Sequence, residues 1–268
     1  MTSGRRAKAR RQADTTRQSA ALQALEARRR RQILWGGVVG LVVLAAVGVG
    51  IGVAVSGSGS GSGSSTPAST GGAPKLNVGP LASLGTLQPA GSPGRDGPEG
   101  VPVPAAAPLA GTASMAGGNP VDGVQCQTSE QTLFHIHAHL TVFVDGAARQ
   151  IPYGIGIPGF QTQSTSRGPF VTSGNCFYWL HTHGADGIIH IESPVQRTYT
   201  LGDFFDIWGQ PLGPNQAGPA VGPVTAIYNG QHYEGDPRNI PLEAHAQIQL
   251  DVGEPLIAPV TISFPNGL

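Results

Sequence analysis

The apolar positions of the chain follow two different patterns. Residues 33–55 form an uncharged stretch of 23 residues, which as a helix rising ~1.5 Å per residue is long enough to cross a hydrocarbon layer of ~30 Å. From residue 119 onward, short apolar segments alternate with polar residues between Gly, Pro, Asn and Asp, a pattern typical of a small all-β domain. We therefore predict a single transmembrane helix, a disordered linker, and a small β-sandwich or open barrel with one short helix.

The β domain is predicted to span residues 119–268. The pairs Asp145-Gly146, Asp186-Gly187 and Asn229-Gly230 predict hairpin turns at three strand junctions, and Thr200 is predicted to cap a helix over 201–209. The seven predicted strands cover residues 133–144, 149–157, 177–183, 188–192, 224–228, 246–252 and 260–264.

Composition separates the first part of the chain from this domain. Residues 1–32 hold ten of the sixteen basic residues and two acidic ones, which predicts a basic cytoplasmic tail before the membrane anchor at 33–55. The C-terminal domain then lies outside the cell membrane. A cleaved signal peptide is the alternative, because small residues end the apolar run. Residues 56–118, rich in Gly, Ser, Pro and Ala, predict a disordered linker.

The charge of the predicted β domain bears on its partners. Four basic and twelve acidic residues from position 119 onward give a formal net charge of −8, which argues against binding a phosphate backbone. We expect no nucleic-acid partner. The expected partners are the membrane, through the single span, and a protein that donates or accepts metal.

Cys126 and Cys176 both lie in the predicted exported part, where an oxidising environment favours a disulfide. Free thiols and soft metal ligands are the alternatives, because proximity cannot be derived from the sequence.

Six of the eight histidines lie in two short segments. In the first segment, strand alternation puts Phe134, Ile136, Ala138, Leu140, Val142 and Val144 on one face, and His135, His137 and His139 on the other. The apolar face is the predicted core face. The three histidines are thus gathered on a separate surface.

The second segment holds His181, His183, His190 and Glu192. A two-residue turn at Asp186-Gly187 would pair His183 with His190 and His181 with Glu192, with all four side chains on one face. A four-residue loop over 184–187 would shift the pairs and keep that face, whereas a three- or five-residue loop would turn His190 away. Three imidazoles with an optional carboxylate suit a transition metal, zinc or copper before iron or manganese.

Three functions fit these residues. The preferred one is transition-metal binding by the exported domain, for sequestration, delivery or sensing. A metal-dependent enzyme with an open coordination position is the first alternative. The second is a metal-free structural or partner-binding module in which the histidines are ordinary sheet residues. No catalytic residue is assigned, because no GxSxG elbow is present and the glycine motif at 154–159 contains a proline and precedes no helix.

Four runs of the chain, HIHAHLTVFVDG, IPYGIGIP, CFYWLHTHGADGIIHIESP and TLGDFFDIWG, resemble a family of exported, uncharacterised bacterial and archaeal proteins over about residues 125–265. The residues His181, His183, His190 and Glu192 match the motif of that family, whereas Gly184 stands where an Asp is expected. The resemblance implies a domain type and brings no established activity.

Overall fold

The computed structural model describes residues 76–268. The predicted basic tail, the predicted transmembrane helix and residues 56–75 of the predicted linker lie outside the described residues. Within 76–268, no helix combines the length and the apolar character that a membrane span requires. This part of the chain is mostly β with one short helix, as the sequence predicts.

Seventeen strands and one α-helix make up the described part. The helix, α1, spans Leu201–Trp208, and two short 3-10 turns span Leu81–Leu84 and Pro237–Asn239. The strands are β1 Val78–Gly79, β2 Arg95–Asp96, β3 Pro102–Val103, β4 Cys126–Gln127, β5 Phe134–Val144, β6 Ala147–Arg149, β7 Gln161–Thr165, β8 Gly168–Ser173, β9 Phe177–Tyr178, β10 Leu180–His181, β11 Ile188–Ser193, β12 Leu212–Gly213, β13 Gln216–Ala217, β14 Ala220–Val221, β15 Val224–Tyr228, β16 Gln231–Tyr233 and β17 Gln247–Val252.

The main sheet has eight strands in the order β1-β16-β15-β17-β5-β11-β10, with β6 paired to β5. Its longest strand, β5, pairs antiparallel with β11 and parallel with β17. The parallel pair makes the sheet mixed, a feature that hairpin turns alone do not predict. The turns at Asp145-Gly146 and Asn229-Gly230 are confirmed, since Val144 pairs with Ala147 and Tyr228 with Gln231.

One continuous core lies against the apolar face of β5. The helix contributes four large side chains, Phe204, Phe205, Ile207 and Trp208, all of them inaccessible to solvent. Its start is fixed by the predicted Thr200, whose side chain accepts the backbone N–H of Asp203 while the Asp203 carboxylate accepts the N–H of Thr200. This reciprocal capping box satisfies two otherwise unpaired donors.

Three predicted strands are corrected by the structure. The predicted strand 177–183 is divided at Trp179 into β9 and β10, and it ends at His181. Over 149–157, only the first residue lies in a strand, and the rest is a turn region in which Gly154 and Gly156 take φ values of 83° and 72°. Positive φ is incompatible with an extended strand. The predicted strand 260–264 is also absent, because Val260 and Ile262 donate their N–H groups to side chains of β17 rather than to a strand backbone. The hairpin β7-β8 was missed, since most of its side chains are polar and exposed.

The predicted disordered linker differs from the structure over residues 76–118, which are ordered and pack on the domain. In this segment β1 extends the edge of the main sheet, β2 and β3 pair with each other, and Val101 and Leu109 are buried. A segment this rich in Gly, Pro and Ala, and without an aromatic residue, cannot form a core alone. It is ordered here because its larger apolar side chains enter a surface that the domain provides.

The predicted disulfide is present. Cys126 and Cys176 are bonded, with their Cα atoms 5.4 Å apart and a sequence separation of 50. The bond fastens β4 beside β9, which pair through Cys126 and Tyr178.

Candidate metal centre

Strand register brings the histidines of both segments into one row. In the main sheet His181 of β10 pairs with His190 of β11, and His190 pairs with His137 of β5. Directly paired residues point to the same face. The pairing of His181 with His190 corresponds to the four-residue loop over 184–187, so the register of the two-residue turn at Asp186-Gly187 is wrong while the shared face is confirmed.

A neighbouring row adds two more candidate ligands. Glu192 of β11 pairs with His135 of β5, on the same face of the sheet as His190 and His137. His183 lies two residues after the end of β10, and its Nε2 lies 3.1 Å from Nε2 of His181.

Most of this histidine face is buried, although the side chain of His135 is 36% exposed. His181 is completely inaccessible, and Glu192 is 5% exposed. Part of the cover comes from the segment 76–118 through Glu99, whose Oε1 accepts a hydrogen bond from Nε2 of His190 at 2.7 Å. The other oxygen of Glu99 accepts the N–H of Gly184 at 2.9 Å.

Gly184 lies where this cover closes. A Cβ at position 184 would lie 2.6 Å from Oε2 of Glu99 and 2.6 Å from Oδ2 of Asp186. Such distances are far below van der Waals contact, so any larger residue would displace these carboxylates. The two acidic side chains therefore occupy the space that a side chain at 184 would need.

Hydrogen bonds determine which ring nitrogen of His181 and of His183 carries a proton. Nδ1 of His181 lies 2.8 Å from the carbonyl oxygen of Tyr178, and Nδ1 of His183 lies 2.7 Å from that of Val171. A carbonyl oxygen only accepts, so both Nδ1 atoms are the donors. When both rings are neutral, each Nε2 atom is therefore unprotonated and carries a lone pair. The two Nε2 atoms face each other at a distance of 3.1 Å.

A second group of ligand atoms surrounds His190. Its Nδ1 lies 3.1 Å from Nε2 of His137, which lies 3.1 Å from Nε2 of His135. Oε1 of Glu192 is 3.2 Å from Nε2 of His135 and 3.5 Å from Nδ1 of His190. Within the described residues, Oε2 of Glu192 is buried without a hydrogen-bond partner.

Burial and neighbouring charge separate the histidines by protonation. Burial and the charge of His190 lower the pKa of His137 to about 3, and burial lowers that of His181 well below its usual range. For His190 burial acts in the same direction, but hydrogen bonds to Glu192 and Glu99 outweigh it and raise the pKa to about 9. At neutral pH the ring of His190 is thus protonated, whereas the rings of His137 and His181 are neutral.

Three overlapping sets in the described part of the chain could hold a metal ion, each with ligand atoms within 4.8 Å of one another. They are His135, His137, His190 and Glu192; His181, His183 and His190; and Glu130, His181 and Glu192. Six of the seven predicted ligands therefore come together.

The seventh predicted ligand, His139, belongs to none of these sets. Its Nε2 lies 2.9 Å from the carbonyl oxygen of Asp186, on the loop between β10 and β11. Because the carbonyl accepts, this nitrogen carries a proton and has no lone pair for an ion. Burial lowers the pKa of His139 to about 4, so it is a neutral ring that supports the loop.

The sequence analysis missed two acidic residues of this site. Glu99 comes from the segment predicted to be disordered, and Glu130 has Oε1 3.4 Å from Nε2 of His183. The only available signal was the short charged run of Arg95, Asp96 and Glu99 in an otherwise almost uncharged segment. Nothing in that run indicates that Glu99 contacts His190, which lies 91 positions further along the chain.

No family model, curated protein or solved structure matches the chain. The geometry of the cluster is therefore the basis for inferring a function.

Proposed function

We propose that the chain is a membrane-anchored protein whose exported β domain binds a transition metal, for sequestration, delivery or sensing. The observation that carries this proposal is the pair of Nε2 atoms of His181 and His183, 3.1 Å apart. Each ring gives its Nδ1 proton to a backbone carbonyl. A ligand histidine held through its other ring nitrogen is the usual outer arrangement of protein metal centres.

Two facing lone pairs repel each other unless a cation lies between them. A tetrahedral zinc ion with bonds of ~2.0–2.1 Å keeps its ligand nitrogens ~3.3 Å apart, close to the 3.1 Å found here. A proton on one ring would also relieve the repulsion, but burial disfavours a proton on His181. A metal ion would instead be bound by both lone pairs, with each Nδ1 proton left on its backbone carbonyl.

Metal content of the full chain, purified without a polyhistidine tag, tests the proposal. We expect histidine-dependent uptake of zinc or copper at neutral pH, and its loss in the triple variant His181→Ala, His183→Ala, His190→Ala. The matched control is His232→Ala, which removes a histidine that contacts Ser83 outside the cluster. Absence of uptake of zinc, copper, iron and manganese by the wild-type chain would leave the metal-free structural module as the function.

A metal-dependent enzyme is the second candidate, favoured by the buried Oε2 of Glu192 that lacks a hydrogen-bond partner in the described part. A free carboxylate oxygen beside a metal can accept a proton from bound water. The substitution Glu192→Gln separates the roles. Weaker metal binding identifies a ligand, whereas retained metal with lost turnover identifies a general base.

The location of the domain is part of the proposal. Its support is the basic run before residue 33 and the uncharged stretch 33–55, which together orient a single span with the C-terminus outside. A reporter that folds only outside the cytoplasm, fused after Leu268, should be active. A cytoplasmic reporter at the same position should be silent, and activity of the cytoplasmic one would refute this topology.

A further inference from the structure

We propose that the histidine face binds two metal ions side by side, bridged by the carboxylate of Glu192. This inference rests on the proposed metal-binding function and specifies it. The first ligand set is His135, His137 and Nδ1 of His190. The second ligand set is His181, His183 and Glu130. Glu192 belongs to both, so each ion would have three ligands of its own and one shared carboxylate.

The number of side chains is the first argument for two ions. A tetrahedral ion takes four ligands, and six-coordinate ions with histidine-rich shells keep positions for water. Seven candidate side chains lie in the overlapping sets. They divide into groups with short internal distances, since Nε2 atoms are 3.1 Å apart between His135 and His137, and again between His181 and His183.

The orientation of His190 is the second argument. Its Nδ1 lies 3.1 Å from Nε2 of His137, whereas its Nε2 is taken by Glu99 at 2.7 Å. The two nitrogens of one imidazole point away from each other and cannot bind the same ion. His190 is therefore committed to the first set, and the hydrogen bond to Glu99 fixes the ring in the orientation that presents Nδ1.

Glu130 completes the second set in the same way. Its Oε1 lies 3.4 Å from Nε2 of His183, and its ligand atom falls within 4.8 Å of those of His181 and Glu192. The side chains of Glu130 and His135 are 41% and 36% exposed, so each set has one ligand at the surface, where an ion can enter.

The third argument is that the two carboxylate oxygens of Glu192 have different surroundings. Oε1 lies 3.2 Å from His135 Nε2 and 3.5 Å from His190 Nδ1, within the first set. Oε2 is buried and makes no hydrogen bond to any described residue. An unpaired buried carboxylate oxygen is costly, and a second ion held near His181 and Glu130 would pair it. Carboxylate-bridged ions in proteins lie ~3.5–4 Å apart.

The first test is stoichiometry on the full chain. The wild type, incubated with Zn²⁺ and desalted, should retain two ions per chain. The variant His135→Ala/His137→Ala should retain one, held by the second set, and His181→Ala/His183→Ala should retain one, held by the first. The control His232→Ala should retain two. Circular dichroism and thermal unfolding confirm that each variant is folded.

The second test is spectroscopic. Electron paramagnetic resonance of the Cu²⁺-loaded wild type should show the dipolar broadening and half-field transition of two coupled ions, and each double variant should show an isolated Cu²⁺ signal. One Zn²⁺ per wild-type chain with an uncoupled Cu²⁺ spectrum would overturn the two-ion arrangement and leave single-metal binding intact. Absence of any metal in the wild type would overturn both proposals.

Discussion

Metal binding at the first ligand set should release a proton from His190. This ring has Nε2 2.7 Å from Glu99 and Nδ1 3.5 Å from Glu192. Although burial opposes it, these two carboxylates raise the pKa of His190 to about 9. The other groups that face the ring are His137, His181 and His183. Burial lowers the pKa of His137 and of His181, so these two rings supply no competing positive charge at neutral pH.

The magnitude follows from that pKa. At pH 7 the ring is protonated in about 99 of 100 chains, because pH 7 is about two units below the pKa. An ion at Nδ1 must displace that proton, which weakens apparent affinity roughly 100-fold, or about 3 kcal/mol, relative to pH above 9. Because the pKa of His190 is raised, its ring keeps the proton at neutral pH and loses it only as the pH rises through about 9. Affinity should therefore increase about tenfold per unit between pH 7 and 8.5.

Isothermal titration calorimetry with Zn²⁺ measures this release directly. Titrations at one pH in buffers of different ionisation enthalpy should give about one proton per ion bound at the first set. The variant Glu99→Gln removes one carboxylate, lowers the pKa of His190 and should reduce the release at pH 8. Glu234→Gln, at an exposed glutamate, is the matched control. A pH-independent affinity, or an unchanged release in Glu99→Gln, would refute the assignment of the proton to His190.

Three further predictions concern stability, each measured as a free energy of unfolding by denaturant titration. Replacing Cys126 and Cys176 by serine should cost ~4 kcal/mol in the loop-entropy model for a sequence separation of 50. Alkylation of these cysteines in the wild type should need reductant, and labelling without reductant would contradict the bond. Thr200→Ala should cost ~1 kcal/mol by leaving a first-turn N–H unpaired, and an unchanged stability would mean that the cap contributes little. Gly187→Ala should cost more than Gly230→Ala, because both have positive φ but only the Cβ at 187 meets a backbone oxygen, at 2.3 Å; equal costs would show that the close approach is relieved.

Local periodicity was sufficient to predict the faces of the strands and the identity of most candidate ligands. Alternation along β5 put His135 and His137 opposite the core residues, and the structure has them there. The helix start at Thr200 and the turns at Asp145-Gly146 and Asn229-Gly230 were also readable, because capping and tight turns depend on a few adjacent residues.

Register and long-range packing were decided only by the tertiary structure. The loop between His183 and Ile188 could take two or four residues with the same strand faces, and only pairing with β5 selects the longer one. The parallel pairing of β17 with β5 has no turn that could indicate it. Alternation specifies a face, whereas register depends on partners from elsewhere in the chain.

The closing of the site shows the same limit most clearly. Glu99 lies in a Pro- and Gly-rich segment that cannot fold alone, yet its carboxylate holds His190 and caps the N–H of Gly184. Composition indicates only whether a segment can build its own core. Whether it docks on a core built by other residues depends on surface shape and on polar groups brought together from 91 positions apart. The sequence by itself therefore determined which residues could bind a metal, and the tertiary structure determined which of them meet, how they are buried and which carboxylates join them.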